Sequence, residues 1–349
     1  MITERLFGTT TKGEKVSLFV LENSRNVKAE ILSYGGRVRA LFVPDRNGKL
    51  NDVVLGYDTI AEYENDSAYL GALIGRNSNR IKKAETFISG KKYTFDKNDG
   101  ENNLHSGDLS FDEVVWAAEI NGEKLVLSHT AKNGEGGFPG NLKVTVRYTL
   151  TEDNELKIEY FAVSDDDTIA NFTNHSYFNL SGHDSGEITN QMLQINADFI
   201  SAIDSDCLQT GEILSVKNTP FDFKTPKKIG RDIDVRCEQL NNGNGYDHNY
   251  ILKGNGFRQV AVLSDENSGI CMQVFTDMPC MQLYSGNFLD GTVKGKNGAT
   301  HIKRSAVCLE TQKYPDAENV QHFPSSVLKK GEEYKSMTVY KFLVRQTLN

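Results

Sequence analysis

The residues able to do chemistry fall in four short polar segments, and each points to a different kind of work. Gly75-Arg-Asn-Ser-Asn-Arg-Ile81 places two arginines and two asparagines within five residues, an array of forked donors, and the following Asn102-Asn-Leu-His-Ser-Gly107 adds His105, for which a satisfied structural histidine is an equal reading. The alternative is a solvated loop held by side-chain bonds to its own backbone. Asn171-Phe-Thr-Asn-His-Ser-Tyr-Phe-Asn-Leu180, read as a strand, puts Asn171, Thr173, His175, Tyr177 and Asn179 on one face. That face reads as the wall of a polar pocket, with an exposed strand face as the plainer alternative. Tyr246-Asp-His-Asn-Tyr250 has a single Asp-His pair, which fits no zinc spacing. Its aromatics beside Asp247 and Asn249 suit a sugar, and an Asx-turn is the bland reading. In Val307-Cys-Leu-Glu-Thr-Gln312 a carboxylate, Glu310, ends an apolar run. Burying it is costly unless it is paired or used.

These segments need a scaffold, and the pattern around them is β. Leu142-Lys-Val-Thr-Val-Arg-Tyr-Thr-Leu150 alternates strictly, Glu152-Asp-Asn-Glu155 makes a turn, and Leu156 to Tyr160 alternates again. Similar runs are Val38–Val43, Lys124–His129, Gln259–Leu263, Ile270–Phe275, Met281–Tyr284, Ala306–Leu309 and Met337–Leu343. Helical spacing is confined to Thr59–Tyr63 and Pro324–Leu328. Regular β-α alternation is missing, which disfavours doubly wound and TIM-barrel folds. An all-β, large antiparallel sandwich is expected, as one domain over residues 1–349, because no composition shift marks a linker.

Composition narrows the function class. The 349 residues include 30 glycines and 7 prolines, so tight turns are favoured over a proline-rich linker. A net charge of −8 argues against nucleic acid. No apolar run reaches the ~18 residues of a membrane helix. Five scattered cysteines without a CxxC read as free thiols in the cytoplasm. Phosphate-loop, dinucleotide, zinc-peptidase and α/β-hydrolase motifs are all missing.

Taken together, Gly75-Arg76 with Asn79-Arg80-Ile81, Asn103-Leu-His-Ser-Gly107, Thr173-Asn-His-Ser-Tyr-Phe-Asn-Leu-Ser-Gly182, Tyr246-Asp-His-Asn-Tyr250, Tyr284-Ser-Gly-Asn-Phe288 and Leu309-Glu-Thr-Gln312 resemble the signatures of aldose 1-epimerases, the galactose mutarotases. The resemblance runs from about Phe7 to about Lys341. It implies a supersandwich of the galactose-mutarotase type, a neutral sugar as substrate, and no cofactor or metal. By motif it implies His175 as general acid and Glu310 as general base. Asn79, Arg80, His105, Ser176, Tyr177, Asp247 and Gln282 match positions that hold sugar hydroxyls or flank the acid. One departure stands out: the family often reads Asn-Ser-Leu-His-Gly-Gly where this chain has Asn102-Asn-Leu-His-Ser-Gly107.

The implied reaction interconverts α and β anomers through an open chain. Glu310 must then be a carboxylate, with Arg80 or His105 expected nearby as the compensating cation. His175 must hold its proton near neutrality, and a bell-shaped pH profile is expected. The protein would act as a monomer or homodimer. A silent carbohydrate-binding module and a carbohydrate hydrolase or lyase are the competing readings. Hydrolysis usually wants two carboxylates, and only Glu310 and Asp247 are candidates.

Overall fold

The computed structural model describes residues 1–108, 110–292 and 294–344. The one-domain expectation also spans residues 109, 293 and 345–349, which lie outside the described residues. Three antiparallel sheets dominate. The first takes five strands in chain order, from Ile2–Thr9 to Leu50–Asp52. A nine-stranded sheet runs through Lys124–Ala131, Leu142–Leu150, Glu155–Ser164, Glu333–Val344 and Ile270–Thr276 among others. A six-stranded sheet is ordered Tyr177–Phe178, Val307–Gln312, Cys280–Tyr284, Asp247–Leu252, Ala197–Ile203, Gln209–Ser215.

The alternation that predicts strands also sets their facing. In Leu142–Leu150 every even-numbered residue is buried and the odd ones are more exposed, so one side chain in two faces the core. That core is shared: Val144 and Val146 of the nine-stranded sheet, Leu21 and Ala29 of the five-stranded, and Leu283 and Leu309 of the six-stranded belong to one apolar cluster. Each buried Val or Leu among them contributes roughly 1.5–3 kcal/mol by leaving water, so the sheets are held together as a large β-sandwich.

Two local expectations need correction. Pro324–Leu328 is not helical: Val327–Leu328 is a short strand paired with Thr168–Ile169. The polar segment 171–180 is not one strand either. Thr173–Asn174 pairs with Leu73–Ile74, whereas Tyr177–Phe178 joins the six-stranded sheet against Val307 and Cys308. Residues 171–180 are all buried, which removes the exposed-face alternative. The break has a cause in the sequence. The Asn174 carboxamide oxygen accepts the Ser176 N–H at 3.1 Å, and its nitrogen donates to Gly71 O at 2.9 Å. That local bond competes with the ladder and turns the chain between the two pairs.

The other helical expectation holds: Ile60–Glu64 is a helix capped by Thr59, with Glu62 completing a capping box. Among the described residues no helix is long and apolar enough to cross a membrane.

Candidate active site

The cleft is built on one face of the six-stranded sheet. In its ladder Asn249, Gln282 and Glu310 stand opposite one another, and so do Asp247, Tyr284, Cys308 and Tyr177. Because facing alternates along a strand, these two rows project to the same side. Glu310 is therefore not at a strand end but inside Val307–Gln312, with Cys308 and Gln312 beside it and Val307 and Leu309 in the core behind. Asp247 likewise belongs to a strand, not to an Asx-turn. His248 faces the other way, its ring 4.5 Å from Phe221.

Amides fix this floor. Gln282 donates to Asp247 Oδ1 at 2.7 Å, Gln312 donates to Asn249 Oδ1 at 3.0 Å, and Ser78 donates to Gln312 Oε1 at 3.2 Å. The walls come from loops. His175 sits where the 171–180 segment turns, its N–H on Ala72 O and its C=O accepting from Gly71 N. Asn79, Arg80 and His105 enter from the 75–81 and 102–107 segments. Gly75 allows that approach: a Cβ there would lie 2.3 Å from the Phe111 ring. The two arginines of this segment part company. Arg76 is buried on the carbonyls of Lys132, Pro139 and Gly140, whereas Arg80 lines the cleft and pairs with Asp99 at 2.7 Å. Ser106, at the departure noted above, takes a glycine-like φ of 81°. Its hydroxyl accepts from Asn77 N at 2.8 Å and donates to Asn77 O at 3.2 Å, which helps hold that conformation.

The resulting cleft measures about 700 Å³ including its open mouth, within the usual range for small-molecule sites. Eight of the nine residues singled out from sequence line it: Asn79, Arg80, His105, His175, Tyr177, Asp247, Gln282 and Glu310. Ser176 does not, because its hydroxyl turns to Asn174 Oδ1 at 2.6 Å. Tyr69 is a wall residue that no spacing in the sequence marks. Its ring stands 4.7 Å from that of His105 and 6.0 Å from that of His175. Phe288, 60% exposed, flanks the mouth beside Tyr284.

Tyr69 owes its place to a buried ion pair. Asp66 accepts from Arg37 Nη1 at 2.7 Å, Tyr57 OH at 3.1 Å, Ala68 N at 2.9 Å and Leu70 N at 2.7 Å. Its carboxylate thus folds the 66–70 turn that carries Tyr69, with φ of 58°. Both partners are dry, at 1% and 0% side-chain exposure.

Glu310 Oε1 lies 3.6 Å from His175 Nε2. Burial raises the Glu310 carboxyl well above its ordinary range, and Asp247 adds to this while Arg80 opposes it. Burial lowers His175 to about 4. Both shifts favour the neutral forms in the free protein, the reverse of the charges expected from sequence. The expected cation is Arg80 alone. His105 is held well below its ordinary range by burial, then by His175 and Arg80, and its Nδ1 accepts the Asn79 N–H at 3.1 Å. A neutral His105 with Nδ1 occupied presents Nε2–H as a donor. His175, Cys308 and Glu310 place one potential ligand atom each within 4.8 Å of one another. The thiol, however, lies at Nδ1 and the carboxylate is nearest Nε2, on opposite edges of the imidazole, so the trio does not converge on one ion.

Comparison with known proteins points the same way. The family model described as Aldose 1-epimerase matches residues 17–341. The galactose mutarotase of Bos taurus is 41% identical over 345 residues, covering 98% of this chain and 99% of its own. The aldose 1-epimerase of Escherichia coli K12 is 33% identical over 336 residues, covering 95% and 96%. The crystal structure of a GalM/aldose epimerase homologue from C. elegans superposes with a TM-score of 0.88 at 31% identity, over 95% of this chain and 100% of that one. A signature read in six separate segments, a cleft that gathers them, and relatives matched nearly end to end agree that this chain belongs to the aldose 1-epimerase family.

Proposed function

We propose that the protein interconverts the α and β anomers of free aldohexoses such as galactose and glucose, with Glu310 as base and His175 as acid. The observation that carries this reading is the 3.6 Å approach of one carboxylate and one imidazole on the cleft floor. Ring opening needs a proton taken from the C1 hydroxyl and one given to the ring oxygen. Those two oxygens share one carbon, so their partners must be close neighbours. A hydrolase instead sets two carboxylates across the scissile bond, and here the nearest partner of Glu310 is an imidazole.

The pair carries one transferable proton throughout. With the ring closed, Glu310 is a carboxylate and His175 an imidazolium. Opening moves the C1 hydroxyl proton to Glu310 and the Nε2 proton to the ring oxygen, leaving both side chains neutral. Rotation about C1–C2 presents the other carbonyl face, and the same transfers run backwards. Burial favours the neutral arrangement, which matches the open-chain stage. Arg80 and Asp247 would hold hydroxyls, with His105 donating through Nε2.

The pH dependence follows with its sign. Below the lowered value of His175 the pair gains a second proton and the base is lost. Above the raised value of Glu310 the pair loses its proton and the acid is lost. The plateau of kcat/KM is therefore expected to be wide, with its acid limb near 4 and its alkaline limb well above 4.5. An acid limb at the ordinary histidine value of 6.5 would contradict the assignment.

Asp247 tests the binding role. Asp247→Asn keeps the shape and a partner for Gln282 but weakens acceptance from hydroxyls. It is expected to raise KM about tenfold with kcat nearly unchanged. A loss confined to kcat, measured by polarimetry on fresh α-D-galactose, would reject that role.

A cleft fed from residues 67 to 310 supports reading the chain as one domain. The thiols of Cys207, Cys237, Cys280 and Cys308, outside any disulfide, support a reducing, cytoplasmic setting, where the protein would act as a monomer or homodimer.

A further inference from the structure

Cys308 is two residues before Glu310 on the same strand and projects to the same side. Its Sγ lies 3.5 Å from Nδ1 of His175, while Nε2 of the same ring faces Glu310 at 3.6 Å. One strand thus holds both edges of the imidazole. The thiol is fully buried and pinned in the ladder between Tyr177 and Tyr284. Among the described residues it is the one side chain paired with Nδ1. The ring's other neighbours are Tyr177 stacked at 5.0 Å, His105 at 5.4 Å, Tyr69 at 6.0 Å and Tyr284 at 6.2 Å; the residue's own backbone also bonds to the ring, and the charges of Asp66 and Arg37 act on it more weakly.

We propose, resting on the mutarotase reading above, that Cys308 is a positioning residue whose sulfur accepts the Nδ1 proton of His175 and so reserves Nε2 for proton exchange with the sugar ring oxygen. Which imidazole nitrogen carries the proton is set by the bond the other makes. Glu310, at 3.6 Å, stands beyond hydrogen-bond distance of Nε2, so the one side-chain bond to the ring is the one at Nδ1, and it sends the single ring proton of neutral His175 to Nδ1, facing sulfur. During turnover the imidazolium gives up the Nε2 proton and later regains it. The Nδ1 proton stays on its nitrogen, no bond to sulfur forms, and no proton is left over. Burial keeps Cys308 a thiol, so it carries no charge that would trap the imidazolium. A thiol sulfur is also a weaker acceptor than oxygen. It orients the ring while leaving His175 a stronger acid than a hydroxyl or carboxylate at the same place would.

The test combines NMR and kinetics. Protein labelled with 15N-histidine, with His175 assigned by its loss in His175→Asn, is expected to carry the ring proton on Nδ1 at pH 7. Cys308→Ser keeps that tautomer and, offering oxygen, is expected to raise the acid limb of kcat/KM by about one unit. Cys308→Ala is expected to release the tautomer and lower kcat about tenfold at unchanged KM. A proton on Nε2 in the wild type, or an acid limb identical in wild type and Cys308→Ser, would overturn the proposal. Should the wild type fail to speed mutarotation at all, the functional reading falls instead, and the tautomer still decides the role of Cys308. The wild-type spectrum also decides the matter if Cys308→Ala does not fold.

Discussion

Glu310→Gln is expected to lower kcat by about 10²–10⁴-fold, the usual worth of one positioned base. Polarimetry of freshly dissolved α-D-galactose or α-D-glucose reads this directly. KM should hardly move, because the carboxamide keeps the shape of the floor beside Gln282. Folding should also survive. Burial already biases the carboxyl toward its neutral form, so the amide replaces a group of similar polarity and size. Equal acceleration by the variant and the wild type would take Glu310 out of the mechanism. Strong loss of activity together with a large fall in melting temperature would show that the side chain serves the fold instead.

The second large effect lies away from the reacting atoms. Arg37→Leu is expected to cost about 3–5 kcal/mol of stability, because it strands a carboxylate in a dry site. Asp66 would keep its bonds from Tyr57, Ala68 and Leu70 but lose its counter-charge. Asp112, 3.6 Å from the same guanidinium and already pushed up to about 6 by burial, would lose its support as well. Urea unfolding measures the loss. Arg37→Leu combined with Asp66→Asn should recover part of it, since the amide needs no counter-charge. A loss below about 1 kcal/mol for the single change would mean that water or another cation reaches the pair. Any surviving Arg37→Leu protein should show a raised KM, because the turn that carries Tyr69 hangs on Asp66.

What could be read from sequence divides along a physical line. Strands with one face buried and one wet announce themselves, as Leu142–Leu150 does, because the two solvents impose opposite residue types. Segment 171–180 defeats that rule. It is buried on both sides, so its alternation of polar and apolar residues does not record an inside and an outside. Its polar groups answer to backbone partners such as Gly71 and to each other. The same limit hides Cys308, which looks like any small core residue until its distance to Nδ1 is known. Tyr69 is hidden for another reason: its place depends on Arg37, distant in sequence, gripping Asp66. By contrast, eight cleft residues are legible because their types are costly to bury without use; six motifs together locate seven of them, and Gln282 stands two residues before the fifth. Their charges are not legible, since burial acts on a site only after the fold has closed around it.

The place of Glu333–Val344 in the large sheet has a consequence for how the molecule is made. It lies between Glu155–Ser164 and Ile270–Thr276, so the strands on either side cannot join until this late segment arrives. During synthesis the ribosome releases both halves with open edges. Each edge is an unpaired row of peptide groups that another chain can capture. Closure waits on contacts far apart along the chain, the slowest kind to form. The nascent protein is therefore expected to be more exposed to clumping before Glu333–Val344 has emerged than after it pairs with both neighbours.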